Sequence, residues 1–66
     1  MKIHPTAIVS SSARLAEDLE IGPHAIIGGE VTLGAGCMIQ AHAILENKVT
    51  MGAGNFVGYG AVIGAA

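Results

Sequence analysis

Every sixth residue from position 3 is Ile3, Val9, Leu15, Ile21, Ile27, Leu33, Ile39, Leu45, Met51, Val57 and Ile63. All eleven are large and aliphatic. Val, Ile, Leu and Met supply 20 of the 66 residues. With six phases allowed, chance would fill one register this way roughly once in 10⁵ tries. A helix repeats near 3.6 residues and a flat strand at 2, so neither explains a period of six directly. A strict internal repeat points to a solenoid, in which each unit packs only on its neighbours.

Two further columns define the repeat. Glycine follows the aliphatic residue at Gly22, Gly28, Gly34, Gly52, Gly58 and Gly64, six of the ten glycines. Two residues before each aliphatic comes a mostly small one: Ala7, Ala13, Leu19, Ala25, Val31, Cys37, Ala43, Val49, Asn55 and Ala61. Residues two apart share one face of a strand, so both columns are predicted to point inward and the residue between them outward. Glycine is predicted to let the backbone turn where a Cβ would obstruct it. A short strand and a sharp turn per hexad close a triangle after three hexads. Successive triangles then stack in parallel, about 4.8 Å apart.

The fold class expected is therefore all-β, a parallel β-helix of about three and a half coils spanning residues 1–66 as a single unit. Residues 18 apart lie above one another, so Ile3, Ile21, Ile39 and Val57 form one inner column. Asn55 breaks the small column, and an inward asparagine needs backbone partners at a turn. The competing reading is helical, and "ARLAEDLE" at 13–20 has that local character. Ten glycines and the β-branched core column argue against it.

Composition narrows the function classes. A chain this short builds a marginal core and usually needs disulfides, metal or oligomerisation. Cys37 is the only cysteine, so no intrachain disulfide can form, and a lone thiol fits a reducing, cytoplasmic setting. Net charge is −2 with Lys2, Arg14 and Lys48 the only cations, which argues against a nucleic-acid surface. Glu17, Asp18 and Glu20 read as a solvated edge. No apolar run is long enough for a membrane-spanning helix, and "MKIHPTAIVSSSA" lacks the apolar stretch of a signal peptide. Oligomerisation is the support that remains.

His24 and His42 differ by 18 and are predicted to stack on an outer edge, with Thr6 below and Gly60 above. Two imidazoles invite a zinc hypothesis, but a structural site needs about four ligands and an open catalytic one about three. No carboxylate or cysteine shares that column, and Cys37 belongs to the interior. No metal site is assigned. His4, in "IHP" at 3–5, reads as a turn residue and not as a base.

"IHPTAIV" at 3–9, "IGPHAIIG" at 21–28, "AHAIL" at 41–45 and "AVIG" at 61–64 resemble the N-terminal coils of the acyl-[acyl-carrier-protein]–UDP-N-acetylglucosamine O-acyltransferases, a hexapeptide-repeat family. The opening also resembles the related UDP-3-O-acylglucosamine N-acyltransferases. In those, an extra domain precedes the solenoid, whereas here Ile3 nearly follows Met1.

The resemblance implies a homotrimer of left-handed β-helices in the cytoplasm. It implies transfer of a hydroxyacyl chain from acyl carrier protein to the 3-hydroxyl of UDP-N-acetylglucosamine, in lipid A biosynthesis. A histidine general base in a later coil would activate that hydroxyl. No cofactor is implied. No catalytic or substrate-binding residue of the family falls on a position of this sequence, so these residues are expected to be scaffold at the start of a longer solenoid. Two other readings stay open: a non-catalytic trimerisation or scaffold module, and a metal-binding chain like the γ-class carbonic anhydrases.

Overall fold

The computed structural model describes residues 1–64. Ala65 and Ala66, the last two positions of the expected unit, lie outside the described residues. Eleven two-residue strands follow one another: β1 (Lys2–Ile3), β2 (Ile8–Val9), β3 (Arg14–Leu15), β4 (Glu20–Ile21), β5 (Ile26–Ile27), β6 (Thr32–Leu33), β7 (Met38–Ile39), β8 (Ile44–Leu45), β9 (Thr50–Met51), β10 (Phe56–Val57) and β11 (Val62–Ile63). The described residues contain no helix, and Arg14 to Glu20 form a strand, a turn and the start of the next strand.

The strands form three parallel sheets, which make the sides of a triangular coil. Sheet I has the order β1-β4-β7-β10, sheet II β2-β5-β8-β11 and sheet III β3-β6-β9. Register is constant at 18 residues: Ile3 lies beside Ile21, Ile21 beside Ile39, and Ile39 beside Val57. Hydrogen bonds run along the coil axis from one rung to the next. Lys2 N–H donates to the Leu19 carbonyl at 2.7 Å, and Ile44 N–H to that of Ala61 at 2.8 Å. The chain is a parallel β-helix.

The second residue of every strand belongs to the aliphatic column and points inward. Ile21, Ile27, Leu33, Ile39, Leu45 and Val57 are buried, together with Leu19, Ala25, Val31, Cys37 and Ala43 from the small column. Burial of this kind contributes about 1.5–3 kcal/mol for each large aliphatic side chain. It fades toward the first and last coils. Val9, Leu15, Met51 and Ile63 are half-buried, and Ile3 is 41% exposed. A rung with a neighbour on one side only cannot close its own interior.

Asn55 is likewise exposed, in the last coil, and its Nδ2 donates to the carbonyl of Gly52 at 2.9 Å. Cys37, one rung below, donates its Sγ–H to that same oxygen at 3.1 Å.

The glycine column acts differently from a simple turn-former. Gly22, Gly28 and Gly34 are not among the residues with positive φ. What they avoid is collision with the next rung: a Cβ on Gly34 would lie 2.6 Å from the Ala53 nitrogen and the Gly52 carbonyl carbon. The left-handed residue comes two positions later. It is a non-glycine at Asp18, His24, Glu30, His42 and Lys48, and a glycine at Gly36, Gly54 and Gly60. Asn47 and Gly64 also have positive φ, and at Gly64 close approach and left-handed backbone coincide, since a Cβ there would collide with the Glu46 carbonyl oxygen; elsewhere the two demands fall on separate columns.

Two outcomes test this division. Gly34→Ala should cost about 2–3 kcal/mol in urea denaturation, because only backbone surrounds the new methyl. At Gly58 a Cβ meets nothing within 4 Å. In the described coils, then, Gly58→Ala should shift stability by less than about 1 kcal/mol. Glu30 sits at φ 59°, in the left-handed region. Glu30→Gly should raise stability by about 0.5–1 kcal/mol, the left-handed penalty of about 1–2 kcal/mol less the entropy glycine loses on folding.

Candidate functional site

The chain crosses from sheet I to sheet II at residues 4–7, 22–25, 40–43 and 58–61. That corner carries all three histidines. Left-handed backbone at His24 (φ 59°) and His42 (φ 62°) turns both side chains out at equivalent places. Each is held by the rung beneath. His24 N–H donates to Thr6 Oγ1 and His42 N–H to the Pro23 carbonyl, each at 3.0 Å. The rings stack with centroids 5.1 Å apart and planes at 17°. The predicted His24–His42 column is present, with Thr6 below it.

Stacked imidazoles are poorly set to share a metal. Parallel rings place equivalent nitrogens about one stacking distance apart, whereas zinc bonds of about 2.0–2.1 Å hold tetrahedral nitrogens roughly 3.4 Å apart. Among the described residues, no group of three or more His, Cys, Asp or Glu could hold a metal ion. Both rings are exposed, so solvent shares whatever contact they make.

His4 caps its own turn. Its Nδ1 accepts the backbone N–H of Thr6 at 3.1 Å and lies 2.9 Å from Thr6 Oγ1. The Thr6 hydroxyl therefore links the His4 turn to the His24 backbone one rung up. Ser10 repeats the device at the corner between sheets II and III, accepting Ser12 N–H at 3.2 Å with the two hydroxyls 3.0 Å apart. Polar side chains that bond backbone two residues on are a common turn chemistry. The Ser10–Ser12 pair was not foreseen. Its signal was the polar residue at the position that glycine fills in later hexads.

Two surface depressions accompany these turns. One, of about 490 Å³, lies beside the first coils and combines Lys2, His4 and Glu20 with Ile3 and Pro23. The other, of about 370 Å³, is lined by Ser12, Arg14, Glu30 and Thr32. Glu17, Asp18 and Glu20 are exposed, as expected of a solvated edge. Cys37 is a buried free thiol that packs in the core. Among the described residues no polar or charged side chain is fully buried; all three histidines are exposed and Glu46 is half-buried. This arrangement can bind and stack, and it holds each turn to the next. The contact of the His4 imidazole with the Thr6 hydroxyl at 2.9 Å belongs to the turn and is exposed. No helix of the described residues is long and apolar enough to cross a membrane.

Set against protein-family models and against curated proteins, the chain matches none of them. The acyltransferase resemblance therefore rests on the residues quoted for it.

Thr6 ties two rungs together through one hydroxyl. Thr6→Val keeps the shape and removes the acceptor, leaving His24 N–H to water. Stability should fall by about 0.5–1.5 kcal/mol, read as a lower denaturation midpoint with unchanged slope.

Proposed function

We propose that this chain forms the first coils of a hexapeptide-repeat acyltransferase that moves a hydroxyacyl group from acyl carrier protein to the 3-hydroxyl of UDP-N-acetylglucosamine. In this reading residues 1–66 are scaffold. The histidine base, the nucleotide cleft and the acyl-chain groove belong to later coils. Left-handed winding, assembly as a homotrimer and a cytoplasmic location are parts of the same reading.

The observation that carries it is the Ile3-His4-Pro5-Thr6-Ala7 opening, folded as the first corner and joined through Thr6 to the "IGPHAIIG" coil above it. A second observation suits further coils. Gly52 and Gly58 repeat the glycine of the hexad, yet a Cβ on either meets no backbone within 4 Å among the described residues. A following rung would supply the contact that those glycines avoid, as Gly52 and Ala53 do for Gly34.

A second reading is a non-catalytic β-helix used for trimerisation or scaffolding, a role that the stacked repeat can fill by itself.

The deciding experiment uses the native gene product, its mass measured and its activity assayed with hydroxyacyl carrier protein and UDP-N-acetylglucosamine. The expected result is a chain that continues past Ala66 and yields the 3-O-acylated sugar nucleotide. A native product that assembles but transfers no acyl group overturns the acyltransferase in favour of the scaffold. Stoichiometric zinc with carbon dioxide hydration overturns both.

A further inference from the structure

Strands β1, β2 and β3 each end their sheet, so among the described residues the first coil has a rung above it and none below. Lys2 and His4 N–H donate upward to the carbonyls of Leu19 and Ile21, and Ile8, Ser10, Arg14 and Ala16 do the same on the other two sides. The carbonyls of Ile21, Ile27 and Leu33 accept from below. Their equivalents one rung lower, on Ile3, Val9 and Leu15, point off the end of the coil. Successive residues of a strand turn their N–H and C=O to opposite neighbours, so the N–H groups of these three point the same way. Each therefore offers a donor and an acceptor on an open edge, the kind of edge that recruits another strand.

The same three residues are the inner aliphatic column of the first coil. Ile3 is 41% exposed and Val9 and Leu15 are half-buried, whereas Ile21, Ile27 and Leu33 directly above them are buried. The open edge and the open end of the core are one surface.

We infer that two copies of this chain pair coaxially, first coil against first coil, about a twofold axis at Val9. A coil climbs as it winds, so its end is a ramp. A twofold axis perpendicular to the coil, through the middle of β2, lays one ramp on the other at constant separation all the way round. The strands then run antiparallel. Because they are six residues apart, Val9 faces Val9 and Ile3 faces Leu15 of the other copy. Facing residues of this kind exchange both N–H···O=C bonds, which uses every donor and acceptor those three residues present. Their side chains stay inward, so the two cores join. On the outside, Arg14 faces His4, and Lys2 faces Ala16, which sets the exposed Glu17 beside that lysine.

Stacking the first coil of one copy on the last coil of the next would also cover the edge. That arrangement consumes both ends and grows without closing, whereas a twofold contact closes with two copies. It also leaves the last coil free for the further rung that Gly52 and Gly58 have room for. From the 27 × 21 × 21 Å extent the end face covers roughly 300 Å², against about 800 Å² per partner in a stable complex. The pairing is therefore reversible and shows at high concentration. It goes beyond the proposed function and does not rest on it.

The test is sedimentation equilibrium of the unaltered chain over a dilution series, beside Val9→Pro and Phe56→Pro. Val9→Pro removes an N–H that points off the open edge and no bond within the chain, so the β-helix should persist by circular dichroism. At the highest concentration the unaltered chain should reach twice the mass of Val9→Pro. Phe56→Pro, altered at the opposite end, should double like the unaltered chain. The ratio of two holds whether the unit that pairs is a single chain or a trimer, so it is read independently of the acyltransferase proposal. Equal masses at every concentration overturn the pairing, as does loss of the doubling in Phe56→Pro. Mass that rises without limit overturns it in favour of head-to-tail stacking.

Should Val9→Pro unfold the chain, Val9→Cys gives the second measurement. Facing residues lie about 5.5 Å apart between Cα atoms, within reach of a disulfide. Cys37 is buried and stays out of the reaction. Diamide should link Val9→Cys into a covalent pair and leave Ile63→Cys, at the other end of the coil, unlinked. A Val9→Cys chain that stays single, or equal linking of the two variants, overturns the pairing.

Discussion

Backbone hydrogen bonding between rungs fixes the spacing at which every side chain must stack. The 18-residue register holds through all three sheets, from Lys2 beside Glu20 to Val62 beside Ile44. Once it holds, a residue type placed at one position of the hexad becomes a column along the axis. The inner columns become the core and the outer ones become ladders, while the corner columns become edges of uniform character. A two-residue strand has too little pairing of its own to be stable. Eleven of them persist because each is a rung between others, and the interior they enclose is filled by their own second residues.

The same register explains why glycine is demanded where it is. At the corner between sheets I and II the position after the aliphatic reads His4, Gly22, Gln40, Gly58. At the next corner it reads Ser10, Gly28, Glu46, Gly64. Side chain and glycine alternate. A Cβ on Gly28 would lie 2.8 Å from the Cβ of Glu46, and one on Gly22 2.8 Å from the Ala41 nitrogen. At the third corner Gly34 faces another glycine, Gly52, and a Cβ on Gly34 still collides with main chain, so these glycines make room for the backbone of the next rung as well as for its side chains. The chain's reversal falls to the left-handed position two residues on, where Asp18, His24, Glu30, His42 and Lys48 accept a conformation that glycine takes at lower cost.

The architecture was legible in the sequence because both of its determinants are periodic. Ile3 and its successors announce the interior, and the interval of 18 predicts that His24 stacks beneath His42. Glycine after the aliphatic was expected where a Cβ would obstruct the turning backbone, and that obstruction is present at Gly22, Gly28 and Gly34; composition could not separate it from positive φ, because each favours glycine. The turn caps were hidden for a different reason. His4 to Thr6 and Ser10 to Ser12 depend on which side-chain atom meets a backbone N–H, and periodicity carries no such information. The outer ladders were legible in principle, since each is simply the residue before the aliphatic. Their character emerges only when the three sheets are compared and sheet II proves aliphatic at every rung, from Ile8 through Ile26 and Ile44 to Val62.

That comparison bears on how so small a molecule is held together. The buried residues run from Leu19 to Val57, leaving the first coil with no fully buried side chain. Local stability in a stack of repeats is a sum over neighbours, so the end rungs open at lower cost than the middle ones. Ile8 belongs to the first coil and Val62 to the last, and both are more than half exposed. The outer ladder of sheet II is thus least covered at the rungs that have the fewest neighbours of their own, and the gradient of burial along the axis is a gradient of local stability.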